Sequence, residues 1–235
     1  MLAIIHSVPT GYSGLDPTSK AAVDAGTACL LAHVVTTPGP FFGTIDDGVG
    51  SFACNYNTSI SIWALSEVPT SPAIHGAITG GRAWELANQR NCNDPPGRAD
   101  RGGNQNNGAW YYTGESPACG SFYEHSNSSF ALQGLAVTGG IPTGLGSTAD
   151  LAQGYFTCLQ RLGQNFGSSN DDPDDGGFIY SQELTKVPVT GTAASGSSIF
   201  ALRLTPVAPT DPRISAGIAF LDASLTYSPC TNNNH

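Results

Sequence analysis

Four segments of the chain repeat one helical pattern around a glycine, and this repetition limits the possible folds more than any other feature of the sequence. They read KAAVDAGTACLLAHV around Gly26, AITGGRAWELANQ around Gly81, DLAQGYFTCLQRL around Gly154 and RISAGIAFLDASL around Gly217. In each segment apolar residues recur at helical spacing and polar residues lie opposite, as burial of one side requires. The sequence therefore predicts four amphipathic helices, spaced about 55 to 73 residues apart when counted from glycine to glycine.

The beginnings of the four segments also agree. Asp16, Ser71 and Asp211 each precede a proline, and a capping side chain followed by proline is typical of a helix start. The third segment begins with Ser147 and has Asp150 three residues later, which is a variant of the capping box. Four similar beginnings indicate copies of one structural unit.

Three shorter segments alternate with these four, and they are apolar over most of their circumference. They begin at Asn57, Asn127 and Thr192, and the two asparagines stand where an N-cap is needed. A helix that is apolar on nearly all sides is buried on several sides. The chain thus alternates amphipathic and buried helices, as αα-hairpin repeats do when one helix layer covers another.

This alternation predicts an all-α fold of about seven main helices in a single repeat domain over residues 17–227. Residues 1–16 form an N-terminal extension in this scheme, and residues 228–235 form a polar tail. The loops from amphipathic to buried helices share glycines and aromatic residues. We expect the aromatic side chains to fill the space between successive hairpins, while the glycines permit the turns.

A glutamine at the end of an amphipathic helix, followed by a Gly-x-aromatic loop, resembles the prenyltransferase and squalene-cyclase repeat. Gln89 with Gly108-Ala109-Trp110, and Gln160 with Gly176-Gly177-Phe178, look like two copies of this signature. The resemblance implies an α/α toroid, in which an outer ring of helices encloses an inner ring. Members that enclose a central cavity usually carry more hairpins than the three and a half counted here. We therefore expect either a tightly curved ring or an open arc that associates with copies of itself.

The acidic run NDDPDDGGFIYSQ resembles two motifs of isoprenoid enzymes. Read as D-x-D-D, from Asp172 to Asp175 with Asp174 as the proton donor, it would place a carboxylic acid beside an alkene. Read as D-D-x-x-D, through Asp171, Asp172 and Asp175, it would hold Mg²⁺ and diphosphate. Both readings imply catalysis of the terpene-cyclase type.

The surroundings of the acidic run favour a turn instead. Pro173 and the pair Gly176-Gly177 interrupt any helix on which the carboxylates could share a face. The corresponding loops GTIDDGVG and GNQNNGAW are turn sequences as well. We interpret the run as a hairpin-joining turn, and the alternatives are a Ca²⁺-binding loop or a catalytic acid.

Three neighbouring residues form the second candidate site. Tyr123, Glu124 and His125 come just before a buried helix, where a Glu and His pair could do acid–base chemistry or bind a ligand. A solvated loop ahead of the helix is the simpler interpretation. Trp110 is predicted to belong to the core, with exposure to a sugar or a partner as the alternative. No set of Asp, Cys and His has the spacing of a zinc site.

Composition narrows the class of protein. Only 11% of the residues are charged and the formal net charge is −9, which argues against binding of nucleic acid, since phosphates require clustered Lys and Arg.

Cys92 and Cys119 flank one Gly/Asn-rich loop and could form a disulfide. Cys29 and Cys158 fall on predicted helices, where cysteine often acts as a small buried hydrophobe. Low charge and scattered cysteines favour an extracellular or periplasmic location.

The chain has no apolar run of membrane-spanning length and no recognisable signal peptide. The favoured interpretation is an extracytoplasmic α/α-toroid repeat protein that acts as a binding or self-assembling structural module, most simply as a homo-oligomer. The sequence identifies no confident catalytic site and no cofactor beyond Ca²⁺ or Mg²⁺ at the acidic run. An isoprenoid cyclase or prenyltransferase-like enzyme that uses Asp171 to Asp175 is the first alternative, and a carbohydrate-active toroid is the second.

Overall fold

The computed structural model describes residues 1–46, 54–90, 108–113, 125–160, 176–180 and 191–224. The helices of this part of the chain are α1 (Leu2–Ile5), α2 (Pro17–Ala32), α3 (Cys54–Ser66), α4 (Pro72–Asn88), α5 (His125–Val137), α6 (Thr148–Leu159), α7 (Thr192–Leu204) and α8 (Pro212–Ser224). A short 3₁₀ turn, Gly11–Gly14, precedes α2. Among these residues the only β-type pairs are two isolated bridges, so the predicted all-α class is confirmed.

The helices form two layers. Helices α3, α5 and α7 lie side by side in chain order, with α5 in the middle, and we call them the inner helices. Helix α4 packs against α3 and α5, α6 packs against α5 and α7, and α8 packs against α7. Together with α2, which packs against α1 and α4, these are the outer helices. Helices α2, α4 and α6 are each followed by an inner helix, as the repeat predicts.

The predicted caps of the outer helices are confirmed. Asp16 accepts hydrogen bonds from the backbone N–H groups of Thr18 and Ser19, and Pro17 is the first helical residue. Ser71 and Ser147 accept from the N–H groups three residues later. Asp211 also accepts from a backbone N–H, that of residue 213. These bonds satisfy N–H groups that the first helical turn would otherwise leave without partners.

The first two inner helices begin earlier than predicted, so Asn57 and Asn127 are not their caps. Helix α3 begins at Cys54 and α5 begins at His125. The reason is that the loop of the next hairpin supplies a backbone acceptor for each of these helix starts. The N–H of Asn55 donates to the carbonyl of Tyr112, and the N–H of His125 donates to the carbonyl of Tyr180.

Each hairpin-joining loop is attached to the inner helix that follows it by the same hydrogen bond. A backbone N–H two residues after the loop glycine donates to a hydroxyl group of that helix. The pairs are Ile45 with Thr58 (3.2 Å), Trp110 with Ser128 (3.1 Å) and Phe178 with Ser195 (2.9 Å). This bond shows that the three loops are structural equivalents.

Replacing Ser128 with alanine should destabilise the protein by about 1–3 kcal/mol, because the buried N–H of Trp110 would lose its acceptor. The matched control is Ser197→Ala on α7, whose hydroxyl bonds, among the described residues, back to the carbonyl of Ala194 in its own helix. Urea denaturation of the two variants measures the difference in free energy of unfolding. An equal effect of both substitutions would contradict this role of the hydroxyl.

The glutamines of the signature connect each loop to the next outer helix. The side-chain Nε2 of Gln89 donates to the carbonyls of Gly108 (3.1 Å) and Thr148 (2.9 Å). Gln160 does the same with Gly176 (3.0 Å) and Arg213 (2.7 Å). In the first hairpin the equivalent position is Val34, as the isolated bridge from Val34 to Ile45 shows beside the one from Gln160 to Phe178.

The alignment of the three hairpins in the structure corrects the predicted equivalence of Gly154 with Gly81 and Gly217. A Cβ on Gly43, Gly108 or Gly176 would meet the backbone of Gly80, Leu151 or Ala216 respectively, so these three receiving residues are equivalent. The residue equivalent to Gly81 and Gly217 is therefore Ala152, and Gly154 lies two residues further on. Gly81 and Gly217 allow the close approach of Ile62 and Ile199 on the inner helices. Gly154 does not lie at this contact, because a shift of two residues turns the Cα–Cβ direction to another side of the helix.

The N-terminal extension covers the open side of the first inner helix. Ile5 is fully buried in a cluster that includes Leu65 and Val68. The Nε2 atom of His6 lies 3.7 Å from a carboxylate oxygen of Glu67. The extension thus caps one end of the helix row, as a terminal repeat requires. The polar tail from residue 228 onward lies outside the described residues.

Candidate functional site

Most of the candidate site residues lie outside the part of the chain that the structure describes. These are Asp171, Asp172, Asp174 and Asp175 of the acidic run, Tyr123 and Glu124, and the cysteines Cys92 and Cys119. The catalytic-acid, Ca²⁺ and disulfide hypotheses for these residues stay predictions. Two candidates, Trp110 and His125, are described.

Trp110 is a core residue. Its side chain is fully buried in the larger hydrophobic cluster, and its indole N–H donates to the backbone carbonyl of Glu85 at 2.8 Å. The backbone N–H of Trp110 is held by Ser128. The ring therefore fills the space between two hairpins, as predicted for the loop aromatics, and presents no surface to a sugar or partner.

His125 is the first residue of α5 and is buried. Its ring stands edge-on to that of Tyr180, with the centroids 4.9 Å apart, and its Nδ1 lies 3.3 Å from the carbonyl oxygen of Tyr180. Burial lowers the pKa of His125 to about 4, so the ring is neutral at pH 7. Since a carbonyl oxygen only accepts, this bond requires the proton on Nδ1.

A buried carboxyl group on α4 was missed by the sequence reasoning. Glu85 has no exposed surface, and its Oε1 accepts a 2.6 Å hydrogen bond from the hydroxyl of Ser59 on α3. Its other oxygen, Oε2, has no partner within the described residues. Burial raises the pKa of Glu85 to about 8, which keeps the group mostly protonated at neutral pH.

A signal for Glu85 was present in the repeat. The corresponding residues of the neighbouring outer helices are Leu30 and Phe156, both apolar. A carboxyl group at an otherwise apolar position of a repeat marks an unusual environment. Because protein atoms enclose Glu85 completely, its protonation state acts on helix packing and not directly on a dissolved substrate.

Within the described residues, the inner helices carry an exposed apolar stripe. On α3 it contains Ile60 (38% exposed) and the half-buried Trp63, on α5 the half-buried Phe130, and on α7 Phe200 (49% exposed). Together with the half-buried Tyr56 of α3, these residues define what we call the inner face. None of the five is charged. Large apolar side chains exposed on three adjacent helices are typical of a binding surface.

Hydroxyl groups and aromatic rings surround the end of the inner face where the inner helices begin. The hydroxyl groups of Tyr56 and Ser126 form a short hydrogen bond, and the hydroxyl of Tyr180 lies 3.5 Å from Ser126. The Tyr56 ring contacts those of Phe130 (5.2 Å between centroids) and Tyr112 (5.6 Å). This end of the face is thus polar at the edge and aromatic at its centre.

Three cysteines are described, and two of them, Cys29 and Cys54, are free thiols. Cys54 is buried, which raises the pKa of its thiol to about 12, and Cys158 is partly buried, which also raises its pKa. Cys29 is exposed, so its predicted role as a buried hydrophobe is wrong, because this part of α2 is not covered by another helix. Among the described residues, no group of three or more His, Cys, Asp or Glu side chains could hold a metal ion.

Within the described ranges, no helix is both long enough and apolar enough to cross a membrane. The chain matches no protein-family model. It also matches no curated protein. The resemblance to the prenyltransferase and squalene-cyclase repeat therefore remains a prediction about the family, while the two-layer helical repeat is shown.

Proposed function

We propose that the protein is a helical-repeat module that associates with copies of itself through the inner face. The exposed apolar stripe of Ile60, Trp63, Phe130 and Phe200 is the observation that carries this proposal. Covering a large apolar side chain stabilises a complex by about 1.5–3 kcal/mol before the costs of association. The low proportion of charged residues and the polar loops support a place outside the cytoplasm.

The inner face lacks the local charge that would oppose binding of a second copy. Two chains that each carry a net charge of −9 repel one another, so a self-association surface has to be locally uncharged or complementary. The central residues of the inner face are uncharged and aromatic or aliphatic, and the hydroxyls of Tyr56 and Ser126 lie at its edge. An apolar centre with a polar rim is the usual composition of a protein interface.

Two charged residues near the C-terminal ends of the inner helices suggest how the two copies are oriented. Glu67 follows the end of α3, and Arg203 lies in the last turn of α7, so both are near the C-terminal ends of the inner helices. A two-fold axis parallel to α5 would bring α3 of one copy onto α7 of the other. Glu67 would then face Arg203 twice, as an isologous dimer requires.

The first test of this proposal removes apolar surface. Phe200→Ser and Ile60→Ser should each weaken self-association several-fold or more, because each deletes a large exposed apolar group from the face. Leu145→Ser is the matched control, since Leu145 is fully exposed but lies between α5 and α6, away from the inner face. Sedimentation equilibrium over a wide concentration range measures the association constant. A wild-type chain that stays monomeric throughout would refute the proposal.

The second test reverses the two charges. Glu67→Arg and Arg203→Glu should each weaken the dimer because like charges would face each other across the two-fold axis. The double variant should restore most of the lost affinity. If the dimer forms but the double variant is no better than the single variants, the inner face is still the interface and only the proposed axis is wrong.

A further inference from the structure

Two of the inner helices carry an Asn-x-Ser triplet, the sequence to which N-linked glycans are attached. The triplets are Asn57-Thr58-Ser59 on α3 and Asn127-Ser128-Ser129 on α5. They lie at equivalent positions of the repeat, because the hydroxyl groups of their middle residues hold the loop N–H groups of Ile45 and Trp110. An acceptor triplet is typical of an exposed loop in a secreted protein, so its place within a packed helix is unusual.

The triplet on α5 is enclosed completely in the folded protein. Asn127 and Ser128 are 0% exposed and Ser129 is 1% exposed. Helices α3 and α7 flank α5, and α4 and α6 also pack against it. The side-chain amide of Asn127 forms a hydrogen bond with the hydroxyl of Tyr112, and the hydroxyl of Ser129 donates to the carbonyl of Ser197 at 3.2 Å. No surface of the Asn127 amide is therefore open to solvent.

A glycan on Asn127 is incompatible with this packing. The first sugar ring of such a glycan is larger than the asparagine side chain and carries several hydroxyl groups. Protein interiors are close-packed, so the ring would force α5 away from its neighbours, and its hydroxyl groups would lose their hydrogen bonds with water. Because the amide is enclosed once the chain has folded, a glycan could be attached only before folding, and it would then prevent α5 from packing.

The triplet on α3 provides an internal comparison. Asn57 is partly exposed, and its Nδ2 donates to Oδ1 of Asp46 at 2.8 Å. An asparagine that carries a glycan keeps one hydrogen on Nδ2, so this bond does not exclude the modification. The two triplets thus differ in the accessibility of their asparagines, and a glycan should interfere with folding more strongly at Asn127 than at Asn57.

We propose that N-glycosylation of Asn127 blocks folding, so that the protein folds only where no N-linked glycans are attached. This inference rests on the proposed function in one respect, the location outside the cytoplasm, which the protein must then reach by a route that avoids a glycosylating compartment. The enclosure of Asn127 does not depend on the inner face or on self-association.

Expression of the full chain behind a secretion signal in cultured mammalian cells tests this inference. Mass spectrometry of the peptide that contains Asn127 measures glycan occupancy, and the amount of secreted protein that unfolds cooperatively on heating measures folding. The wild-type chain should be glycosylated at Asn127 and retained in the cells. Ser129→Ala, which removes the acceptor triplet and keeps Asn127, should raise the secreted folded amount several-fold. An inhibitor of N-glycan synthesis should have the same effect on the wild-type chain.

Ser198→Ala is the matched control, since Ser198 is a fully buried serine of α7 that belongs to no acceptor triplet, and it should leave the retention unchanged. Production of the three chains in a bacterial host that attaches no N-linked glycans shows whether each one folds; if Ser129→Ala does not, the inhibitor on the wild-type chain decides. Secretion of folded wild-type protein, with or without a glycan on Asn127, would overturn the inference, as would retention that persists without glycans. A monomeric wild-type chain from the bacterial host would refute self-association and leave this inference intact.

Discussion

Replacing Glu85 with glutamine is expected to remove most of the loss of stability that the wild-type protein undergoes as the pH rises from about 5 to about 8. In the folded chain burial raises the pKa of Glu85 from 4.5 to about 8. Between these two values the folded protein keeps a proton that the unfolded chain releases, so the free energy of unfolding falls as the pH rises. The contribution is fully present below the unfolded pKa and is lost as the pH passes the folded one.

The size of this effect is on the order of a few kcal/mol, since one unit of pKa shift corresponds to about 1.4 kcal/mol and a buried group relaxes its surroundings when it ionises. Urea denaturation at several pH values between about 5 and 9 measures the slope. Asp222→Asn, at an exposed carboxylate on α8, is the control and should keep the wild-type slope. If Glu85→Gln also keeps that slope, ionisation of Glu85 does not control stability in this range.

The second large effect is expected from Gly108→Ala. Gly108 has a φ of +90°, a region that residues with a Cβ rarely adopt, and a Cβ here would lie 1.9 Å from the carbonyl oxygen of Leu151. Because backbone atoms of α6 stand in the way, no side-chain rotation can relieve the contact. The loop and the outer helix would have to separate, at a cost of about 3 kcal/mol or more.

Gly76→Ala is the matched control for this substitution. Gly76 lies within α4, and a Cβ there would meet no atom within 4 Å. Alanine at an exposed helical position stabilises a protein by about 0.5–1 kcal/mol relative to glycine, so the two substitutions should have opposite signs. Thermal unfolding of both variants provides the comparison. A small or stabilising effect of Gly108→Ala would show that the loop does not need this close approach.

The parts of the fold that depend on local chemistry could be predicted from the sequence. Caps such as Asp16 and Ser147 bond to residues two or three positions away, so their pattern is visible in a short window. The glutamine and glycine signature was equally visible, although its long-range acceptors, such as the carbonyl of Thr148, were not. The starts of α3 and α5 were misplaced because loop carbonyls, and not the asparagines, satisfy their first N–H groups.

The features that bear on function depend on which side of a helix faces which neighbour. Phe200 and Leu202 are both apolar and lie two positions apart on α7, yet the first is half exposed and the second is fully buried. Composition could not separate them, because the inner helices are apolar on nearly all sides. Glu85 likewise required the register of the outer helices, which the equivalence assumed for Gly154 had obscured.

The bonds from Gln89 and Gln160 to the next outer helix end on backbone carbonyls, those of Thr148 and Arg213. A carbonyl oxygen is present at every position of every helix, so the receiving helix needs no particular side chain for this contact. Outer helices can therefore change most of their sequence, or be exchanged between copies of the unit, without losing the connection. Sequence comparison between such chains would underestimate how closely they are related, because this contact requires only the glutamine, the loop glycine and the same relative position of the two helices.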